Sequence, residues 1–423
     1  MSMTPASEGA TLTDGSRLWS TLMEIAKIGA IAESGSCRLS LSDGDRDARD
    51  RFASWCRDAG CSVQTDRFGN MFAIRPGRRA GAPCILIGSH LDTQPHGGRF
   101  DGILGVLAGL EIVRSFNDHA IETDGPIVVV NWSNEEGVRF KPGLTGSSGF
   151  AGTLEEAGIT GSDGSDFFQE LKRIGYAGAF EPDFTAAAYY ELHIEQGPVL
   201  ETAGVPIGVV TSIQGVRWYA IQLHGRDAHA GTTPSGARRD SFMAAARLSL
   251  RLREEALTLD QDLRFTVGRV EVEPNSQNTI PGLTTLFIDV RHASTQVLER
   301  FEHVMANAVS EVALIEGTSG KFRRTMSVPP VLFNESLQDR LMAGARTIGV
   351  EPIRLPSGAM HDASSLAAGI PSAMIFVQSR DGISHNPDEW SEPAHVAAAC
   401  EALAQAIVSQ ACTATNVADA AHD

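Results

Sequence analysis

The fold of this chain is decided by the stretch CILIGSHLDTQPHGGRFDGILGVLAGLEIVRSF, residues 84–116. The stretch begins with a short apolar run rich in β-branched residues and continues through a polar, glycine-rich loop. It ends in a segment whose apolar residues recur at helical spacing. A second apolar run, PIVVVNWS, follows at residues 126–133. A strand, a helix and a strand at this spacing form a βαβ unit, which predicts a mostly parallel sheet covered by helices on both faces.

Titratable side chains follow the apolar runs at the points where the predicted strands end. They are His90, Asp92 and Asp101 after the first run, Glu135 and Glu136 after the second, Glu191, His193 and Glu195 in ELHIEQG, and His385 in ISHNPDEW. Each cluster alone is typical of a solvated surface. Ligands of such sheets collect beyond the carboxyl ends of the strands, so four clusters there indicate a site for two divalent cations held by His, Asp and Glu.

The remaining patterns predict two domains. Before the βαβ unit, CSVQTDRFGNMFAIRPG predicts a hairpin. The patterns of residues 213–328 predict a different order of elements: strand, helix, strand, strand, helix, strand. This is the ferredoxin-like order. Helix, buried strand and closing helix then resume. We therefore predict a discontinuous α/β catalytic domain at residues 1–212 and 329–423, interrupted by a ferredoxin-like α+β domain at residues 213–328.

Composition excludes several classes of partner. The 423 residues carry a formal net charge of -17, which argues against nucleic acid and against an anionic membrane. No apolar stretch reaches the ~18 residues of a membrane span, and the start MSMTPASEGATLTDG lacks a secretory pattern. The 6 cysteines form no CxxC pair, and none lies in a motif with a nearby histidine. We expect a cytoplasmic protein with reduced thiols and no cysteine nucleophile.

The order of the motifs resembles that of the N-carbamoyl-L-amino acid amidohydrolase (hydantoinase/carbamoylase) family, which belongs to the dinuclear aminoacylase and carboxypeptidase-like metallohydrolases. The motifs are GSHLDT, GGRFDGILGVLAGLE, NEEGVRF, LHIEQGPVLE, GRDAHAGTTP, NTIPG, DVRH and SHNPDEW, and they extend through most of the chain. The resemblance implies that the inserted domain is a lid and dimerisation domain, and that the protein forms a homodimer.

By position, the resemblance implies a complete set of metal ligands. His90 and His193 would be terminal ligands of one ion, Glu136 and His385 terminal ligands of the other, and Asp101 would bridge the two. This set contains no thiolate, so it accepts Zn²⁺ or Mn²⁺, with Co²⁺ or Ni²⁺ as alternatives.

The resemblance also implies roles for two further carboxylates. Asp92, two residues after His90, would orient the histidine ring, as metal-bound histidines usually require. Glu135 would be the catalytic carboxylate, which accepts a proton from a water activated by the metals and delivers it to the leaving nitrogen. These roles would explain why Glu135 and Glu136 are consecutive.

Substrate contacts are implied in both domains. His229 would stabilise the oxyanion of the scissile carbonyl in the active site of the partner subunit, and Asn278 and Arg291 would hold the substrate carboxylate. From the residues alone, Arg291 would be interpreted as a strand-end salt-bridge partner and Asn278 as a turn residue. The other implied contacts are Gln196 with the carbamoyl end, and Gly358, Ala359 and His361 in the loop PSGAMHDAS, where the family often has glycine at the position of Met360. His361, together with Asp362, either orients this loop or contacts the substrate.

The predicted function is hydrolysis of the carbamoyl C–N bond of an N-carbamoyl-L-amino acid, a small ureido acid, to the amino acid, carbon dioxide and ammonia. Allantoate, ureidoglycolate and β-ureidopropionate share the ureido group and the carboxylate, so amidohydrolysis of these substrates is an alternative at the same site. A dipeptidase is a further alternative. A non-catalytic binding or scaffold protein would be expected to lack a ligand or the base, whereas all of them are present.

Overall fold

The chain divides into two compact units in a computed structural model, which describes residues 11–31, 34–154 and 156–412. The larger unit contains the described residues up to Thr211 and those from Leu332 onward, and the smaller unit is Ser212–Val331. The smaller unit thus begins one residue before, and ends three residues after, the predicted insert of residues 213–328. Both ends of the predicted catalytic domain, residues 1–10 and 413–423, lie outside the described residues.

The helices and strands are numbered in chain order. The helices are α1 (Gly15–Ile25), α2 (Asp43–Asp58), α3 (Ile103–Asp118), α4 (Thr145–Phe150), α5 (Phe167–Arg173), α6 (Val199–Ala203), α7 (Ser241–Leu259), α8 (Thr295–Ile315), α9 (Glu335–Thr347), α10 (Asp362–Leu366) and α11 (Pro393–Ala411). The strands are β1 (Ser62–Thr65), β2 (Met71–Arg75), β3 (Cys84–His90), β4 (Ile127–Trp132), β5 (Phe140–Lys141), β6 (Thr160–Gly161), β7 (Ala186–Ile194), β8 (Ile207–Ile213), β9 (Gly215–His224), β10 (Ala228–His229), β11 (Arg264–Glu273), β12 (Thr279–Ile280), β13 (Leu283–His292), β14 (Ser319–Val328), β15 (Val331–Leu332), β16 (Ile353–Ser357) and β17 (Ser372–Val377).

The main sheet has nine strands in the order β1-β2-β4-β3-β7-β17-β8-β15, with β16 also paired to β8. Its central neighbours β4, β3, β7 and β17 run parallel. The hairpin β1-β2 joins β4 antiparallel, and β8 joins β17 antiparallel on the other side. Every residue of β3, β4 and β17 is buried, which requires cover on both faces. The prediction of a mixed α/β fold around a mostly parallel sheet is confirmed at the centre of the sheet.

Helix α3 packs closely on this sheet because it carries glycines one turn apart. A side chain at Gly105 would collide with the carbonyl of Leu192 and with Ser89, and one at Gly109 would press on Val129. Almost every residue of α3 is buried, so the helix belongs to the main hydrophobic core rather than to the surface. The close packing brings the start of α3 to the carboxyl ends of the central strands.

The smaller unit has the predicted order of strand, helix, strand, strand, helix, strand. Its antiparallel sheet has the order β11-β13-β9-β14, and the apolar residues of one sheet face form a core with helices α7 and α8. A separate two-stranded ribbon pairs β10 with β12. The ferredoxin-like order is therefore present, and the role of this unit in dimerisation stays a prediction.

Two predictions made from the composition can be compared with the structure. None of the described helices is long and apolar enough to cross a membrane. The 6 cysteines are free thiols, as predicted. A cytoplasmic location stays a prediction.

Candidate active site

The carboxyl ends of three neighbouring strands bring the predicted metal ligands together. His90 is the last residue of β3, His193 lies near the end of β7, and Glu135 and Glu136 follow β4 in a tight turn. Asn134 begins this turn with a positive φ of 55°, a conformation that asparagine adopts more readily than most residues. Because β3 is parallel to both of its neighbours, the three strand ends meet at one edge of the sheet.

Asp101 joins two groups of candidate ligands. In each group the ligand atoms lie within 4.8 Å of one another, and the groups are His90–Asp101–His193 and Asp101–Glu136–His385. Asp101 Oδ1 is 3.3 Å from His193 Nε2, and Asp101 Oδ2 is 3.2 Å from His385 Nε2. Burial favours the neutral carboxyl, but hydrogen bonds from His193 and His385 outweigh it and lower the pKa of Asp101 well below its usual range. An ionised carboxylate whose two oxygens face different groups is the arrangement that a bridging ligand needs.

The rings of His90 and His193 are oriented by main-chain carbonyls. His90 Nδ1 lies 2.8 Å from the Asp92 carbonyl oxygen, and His193 Nδ1 lies 3.0 Å from that of Ile194. A carbonyl oxygen only accepts, so each Nδ1 carries a hydrogen and each Nε2 is directed into the site. Burial opposes a charge on His193, but the hydrogen bond to Asp101 outweighs it and raises the pKa of His193 to about 9. Burial also lowers the pKa of His90 to about 4, which keeps its ring neutral. Neutral imidazole with a hydrogen-bonded second nitrogen is the form that binds metals.

Asp92 makes a different contact from the predicted one. Its carboxylate lies 3.9 Å from His90 Nδ1, so the main-chain carbonyl of Asp92, not its side chain, orients that ring. The two carboxylate oxygens instead accept the main-chain N–H groups of Glu135 at 3.2 Å and of Glu136 at 3.3 Å. Asp92 therefore fixes the turn that carries the two glutamates. The sequence could not show whether a main-chain or a side-chain oxygen of Asp92 contacts the His90 ring, because both are near the site.

Glu135 lies beside the first group of ligands. Its Oε2 is 3.5 Å from His90 Nε2, and its side chain is 10% exposed. Burial first, and then the negative charges of Asp362 and Glu136, raise the pKa of Glu135 well above its usual range. A buried carboxylate with high proton affinity next to candidate metal ligands is suited to exchanging a proton.

Glu136 faces the second group. Its Oε2 accepts a hydrogen bond of 2.6 Å from Gln94 Nε2 and lies 3.7 Å from His385 Nε2. Its other oxygen, Oε1, is buried and has no hydrogen-bond partner among the described residues. Burial and the charge of Asp101 raise the pKa of Glu136 to about 8.

The donor set fits two divalent cations. Across the residues that the structure describes, the only ion-pair partners within 4.0 Å of Asp101, Glu135 and Glu136 are histidines. Buried carboxylates without a Lys or Arg partner are costly unless a cation neutralises them. The unpartnered oxygen of Glu136 and the histidine Nε2 atoms supply hard and borderline ligands of the kind that Zn²⁺ and Mn²⁺ accept.

Gln196 reaches the carboxylate of Asp101. Its amide Nε2 lies 3.1 Å from Asp101 Oδ2 and 3.1 Å from Ser384 Oγ, and its Oε1 is buried without a partner among the described residues. Gln196 has a positive φ of 58°, which turns the chain sharply after β7. The structure thus brings this predicted substrate contact to the metal ligands.

The loop with Gly358 and Ala359 connects β16 to α10 and ends at His361. The ring of His361 packs edge-on against that of His193 with 4.4 Å between centroids, and its Nε2 lies 3.0 Å from Ser357 Oγ. His361 is buried, and burial lowers its pKa well below the usual range. This geometry favours the alternative in which His361 orients the loop. Met360, directly before His361, is 42% exposed.

A third group of three residues, Glu191, His193 and His361, also has its ligand atoms within 4.8 Å. Glu191 is already satisfied, because its oxygens accept hydrogen bonds from Ser89 Oγ at 2.8 Å and from the Ala363 N–H at 2.8 Å. His193 directs its free nitrogen at Asp101. This group therefore supports the loop after β16 rather than a further ion.

Two predicted residues of the smaller unit lie together on its ribbon. His229 of β10 pairs with Thr279 of β12, and the Ala230 N–H donates to the Asn278 carbonyl at 2.9 Å. His229 is exposed, and its Nδ1 accepts the N–H of Gly231 at 3.0 Å. Its Nε2 therefore carries the hydrogen and is a donor, as an oxyanion contact requires.

Arg291 forms the strand-end ion pair that the residues alone suggested. Its Nε is 2.9 Å from Asp289 Oδ1, and its Nη2 is 3.0 Å from Asp289 Oδ2. Trp218 Nε1 donates to the same carboxylate at 2.7 Å. The guanidinium is thus held in a fixed orientation, and its contact with a substrate stays a prediction.

Sequence analysis missed three side chains that contact the candidate ligands: Gln94, Ser384 and Glu389. Gln94 directly follows the motif GSHLDT, between His90 and Asp101, and the other two lie in SHNPDEW. Their position in or next to motifs was a signal, but amides, hydroxyls and carboxylates are so frequent in loops that the residue type alone does not single them out.

The arrangement is that of a metal-dependent hydrolase, and the chain belongs to peptidase family M20/M25/M40, whose model matches residues 86–409. It is 40% identical to an N-carbamoyl-L-amino-acid amidohydrolase of Rhizobium meliloti over 93% of this chain and 96% of that protein. It is 32% identical to an allantoate amidohydrolase of Bacillus subtilis (strain 168) over 87% and 90%. A solved hydantoinase/carbamoylase family amidase from Burkholderia multivorans superposes with a TM-score of 0.90 at 43% identity, covering 95% and 98%. The predicted resemblance to the hydantoinase/carbamoylase family is confirmed.

Proposed function

We propose that this chain is an amidohydrolase that cleaves the carbamoyl C–N bond of N-carbamoyl-L-amino acids, giving the amino acid, carbon dioxide and ammonia. The observation that carries the proposal is the Asp101 carboxylate, which joins two complete groups of ligands with Glu135 beside them. The similarity to an N-carbamoyl-L-amino-acid amidohydrolase over nearly the whole chain supports the substrate class.

Two divalent ions, Zn²⁺ or Mn²⁺ with Co²⁺ or Ni²⁺ as alternatives, would be held by His90 and His193 on one side, by Glu136 and His385 on the other, and by Asp101 between them. When bound, such ions polarise the scissile carbonyl and make a water nucleophilic at neutral pH. The Asp92 carboxylate holds the main chain of the two glutamates in place for this task.

Glu135 moves the proton. It accepts a proton from the attacking water as the new C–O bond forms, and it delivers that proton to the nitrogen as the C–N bond breaks. The protein contributes the position and the burial of this carboxylate, and positioned general bases typically contribute about 10²–10⁴-fold in rate.

We expect substrate contacts from residues of each unit. Gln196 lies beside the proposed metal ligands and would receive the carbamoyl end. The loop of Gly358 and Ala359, with His361 holding its position, would supply further contacts with the substrate. Asn278 and Arg291 would hold the carboxylate, since a planar guanidinium matches a carboxylate with two hydrogen bonds. His229 would donate Nε2–H to the developing oxyanion, from the partner subunit of a homodimer.

Hydrolysis of allantoate is the second candidate, because an allantoate amidohydrolase is 32% identical over most of this chain. Allantoate also carries a ureido group and a carboxylate. The same ligands and the same base would serve it, so the two functions differ only in what surrounds the rest of the substrate.

A substrate panel tests the proposal. Purified protein is stripped of metal, reloaded separately with Zn²⁺ or Mn²⁺, and assayed for ammonia release. The substrates are N-carbamoyl-L-amino acids, their D-enantiomers, allantoate, ureidoglycolate and β-ureidopropionate, and a dipeptide is assayed for amine release. We expect turnover of the L-carbamoyl compounds, its loss on metal removal and its recovery on reloading. Ammonia release from allantoate alone would transfer the function to the second candidate, and dipeptide cleavage alone would make the protein a peptidase.

A further inference from the structure

Glu389 is a buried carboxylate that contacts the main chain of the bridging ligand. Its Oε1 accepts the N–H of Phe100 at 2.9 Å and the N–H of Asp101 at 3.1 Å. Its Oε2 accepts the hydroxyl of Ser384 at 3.0 Å. The residue is 2% exposed, so these three donors replace the water that a carboxylate would otherwise bind.

These contacts connect two segments that are far apart in sequence. One segment carries Asp101, and the other carries Ser384 and the candidate ligand His385. The segments pack together at Gly98, where a side chain would overlap the Glu389 carboxylate. Beside it, the rings of Phe100 and Trp390 meet edge-on with 5.8 Å between centroids. Glu389 therefore connects the segment of the Asp101 carboxylate to the segment of His385.

The hydroxyl of Ser384 has two acceptors but only one hydrogen. Its oxygen is 3.0 Å from Glu389 Oε2 and 3.3 Å from Asp101 Oδ2. The Gln196 amide already donates to this hydroxyl oxygen at 3.1 Å, so the hydrogen must point to one of the two carboxylates. When it points to Glu389, the Asp101 oxygen keeps its lone pair for a cation.

We propose that Glu389 is a positioning residue for the metal centre: it fixes the main chain of Asp101 and draws the Ser384 hydrogen away from the bridging oxygen. The inference rests on the proposed function of Asp101 as a metal ligand. Outer-shell hydrogen bonds of this kind typically change metal affinity by about 10–100-fold when they are removed.

The chain offers a matched control in Glu401. It is 3% exposed and, like Glu389, accepts two main-chain N–H groups and one hydroxyl, those of Leu12 and Thr13. Among the described residues it has no hydrogen bond or ion pair with the candidate metal ligands, so Glu401→Ala removes a similar buried carboxylate of the larger unit without affecting the proposed metal centre directly. Because both substitutions leave buried donors unpaired, both should lower thermal stability.

The experiment measures Zn²⁺ affinity by competition with a chromophoric chelator, on the full chain stripped of metal. We expect Glu389→Ala to bind Zn²⁺ about 10–100-fold more weakly, with Glu401→Ala within twofold of the unsubstituted protein. Equal affinity of Glu389→Ala and the unsubstituted protein would overturn the inference, and so would an equal loss in Glu401→Ala. If the unsubstituted protein itself binds no Zn²⁺ or Mn²⁺, the proposed metal centre is wrong. That outcome is distinct from a failure of the inference about Glu389.

Glu389→Gln provides a second variant that keeps the size of the side chain. Its carbonyl oxygen still accepts the two N–H groups, but its amide donates to Ser384 and turns the hydroxyl hydrogen toward Asp101. We expect about tenfold weaker Zn²⁺ binding, by the same outer-shell effect, and recovery when Ser384→Ala is added. Should Glu389→Ala fail to fold, this pair decides: binding by Glu389→Gln that equals the unsubstituted protein contradicts the inference.

Discussion

Glu135 and Glu136 are neighbours in sequence, yet their side chains have different surroundings. The carboxylate of Glu136 is fixed by the amide of Gln94 and faces His385. The carboxylate of Glu135 faces His90, and burial together with neighbouring negative charges raises its pKa. These surroundings fit the proposed roles of Glu136 as a ligand and of Glu135 as a proton acceptor, so substitutions at the two positions should have different consequences.

Substitution of Glu135 by Gln should separate catalysis from metal binding. The amide keeps the size of the side chain but has no basic oxygen, so we expect kcat to fall by about 10²–10⁴-fold while both metal ions remain bound. Elemental analysis and steady-state ammonia release measure the two effects. Glu136→Gln is the comparison, because loss of a ligand should lower the metal content. Near-normal turnover by a fully loaded Glu135→Gln protein would remove the assignment of Glu135 as the base.

At the scale of elements, the loop between β3 and α3 requires a glycine, Gly102, directly before the helix. Gly102 has a positive φ of 72°, and a side chain there would overlap the ring of His90. Its N–H also lies 3.2 Å from His193 Nε2. The absence of a side chain at Gly102 therefore lets Asp101 and both histidines occupy the same small volume.

Substitution of Gly102 by Ala should displace the first group of ligands. We expect metal affinity to fall by at least about 10-fold, because the new Cβ moves the His90 ring from its position. Gly81→Ala is the matched control, since Gly81 has nearly the same φ of 71° and no neighbour within 4 Å. It should show only the backbone strain, roughly 1 kcal/mol, without a change in metal affinity. Equal metal affinity in the two variants would argue against the crowding at His90.

The elements also show which parts of the fold the sequence could predict. The unit β3-α3-β4 was predictable because its apolar periods are long and adjacent in sequence. Strand β8 was not predicted, and its antiparallel place beside β17 depends on a partner far along the chain. Helix α10 is only five residues long, too short for its period to be distinguished.

The candidate site, like the fold, could be predicted from the sequence only in part. The candidate ligands lie at strand ends and in motifs, so their convergence was predictable from the sequence. The contacts of Asp92 and Glu389 were not, because they depend on which oxygen faces which N–H group. Sequence patterns indicate which residues meet. Which of several neighbouring atoms form a hydrogen bond depends on small differences in distance, and these require coordinates.

At the scale of the whole molecule, the proposed chemistry is divided between two units of one chain. The metal ligands and Glu135 belong to the larger unit, and His229, Asn278 and Arg291 belong to the smaller one. His229 is exposed, although an oxyanion donor has to be enclosed to be effective. The proposed twofold homodimer would enclose this histidine if each smaller unit delivers it to the partner, because a twofold interface makes the same contact twice.

Mixing two inactive variants tests this exchange of histidines. One homodimer carries Glu135→Ala and the other carries His229→Ala, and each should be nearly inactive. After subunit exchange, each heterodimer has one site with an intact Glu135 and an intact histidine from its partner. Half of the dimers are mixed and half of their sites are complete, so we expect about a quarter of the normal activity. The control mixes the unsubstituted protein with the Glu135→Ala/His229→Ala double variant, whose heterodimers should be inactive. If heterodimers form and the first mixture stays as inactive as its parents, His229 acts within its own subunit or not at all.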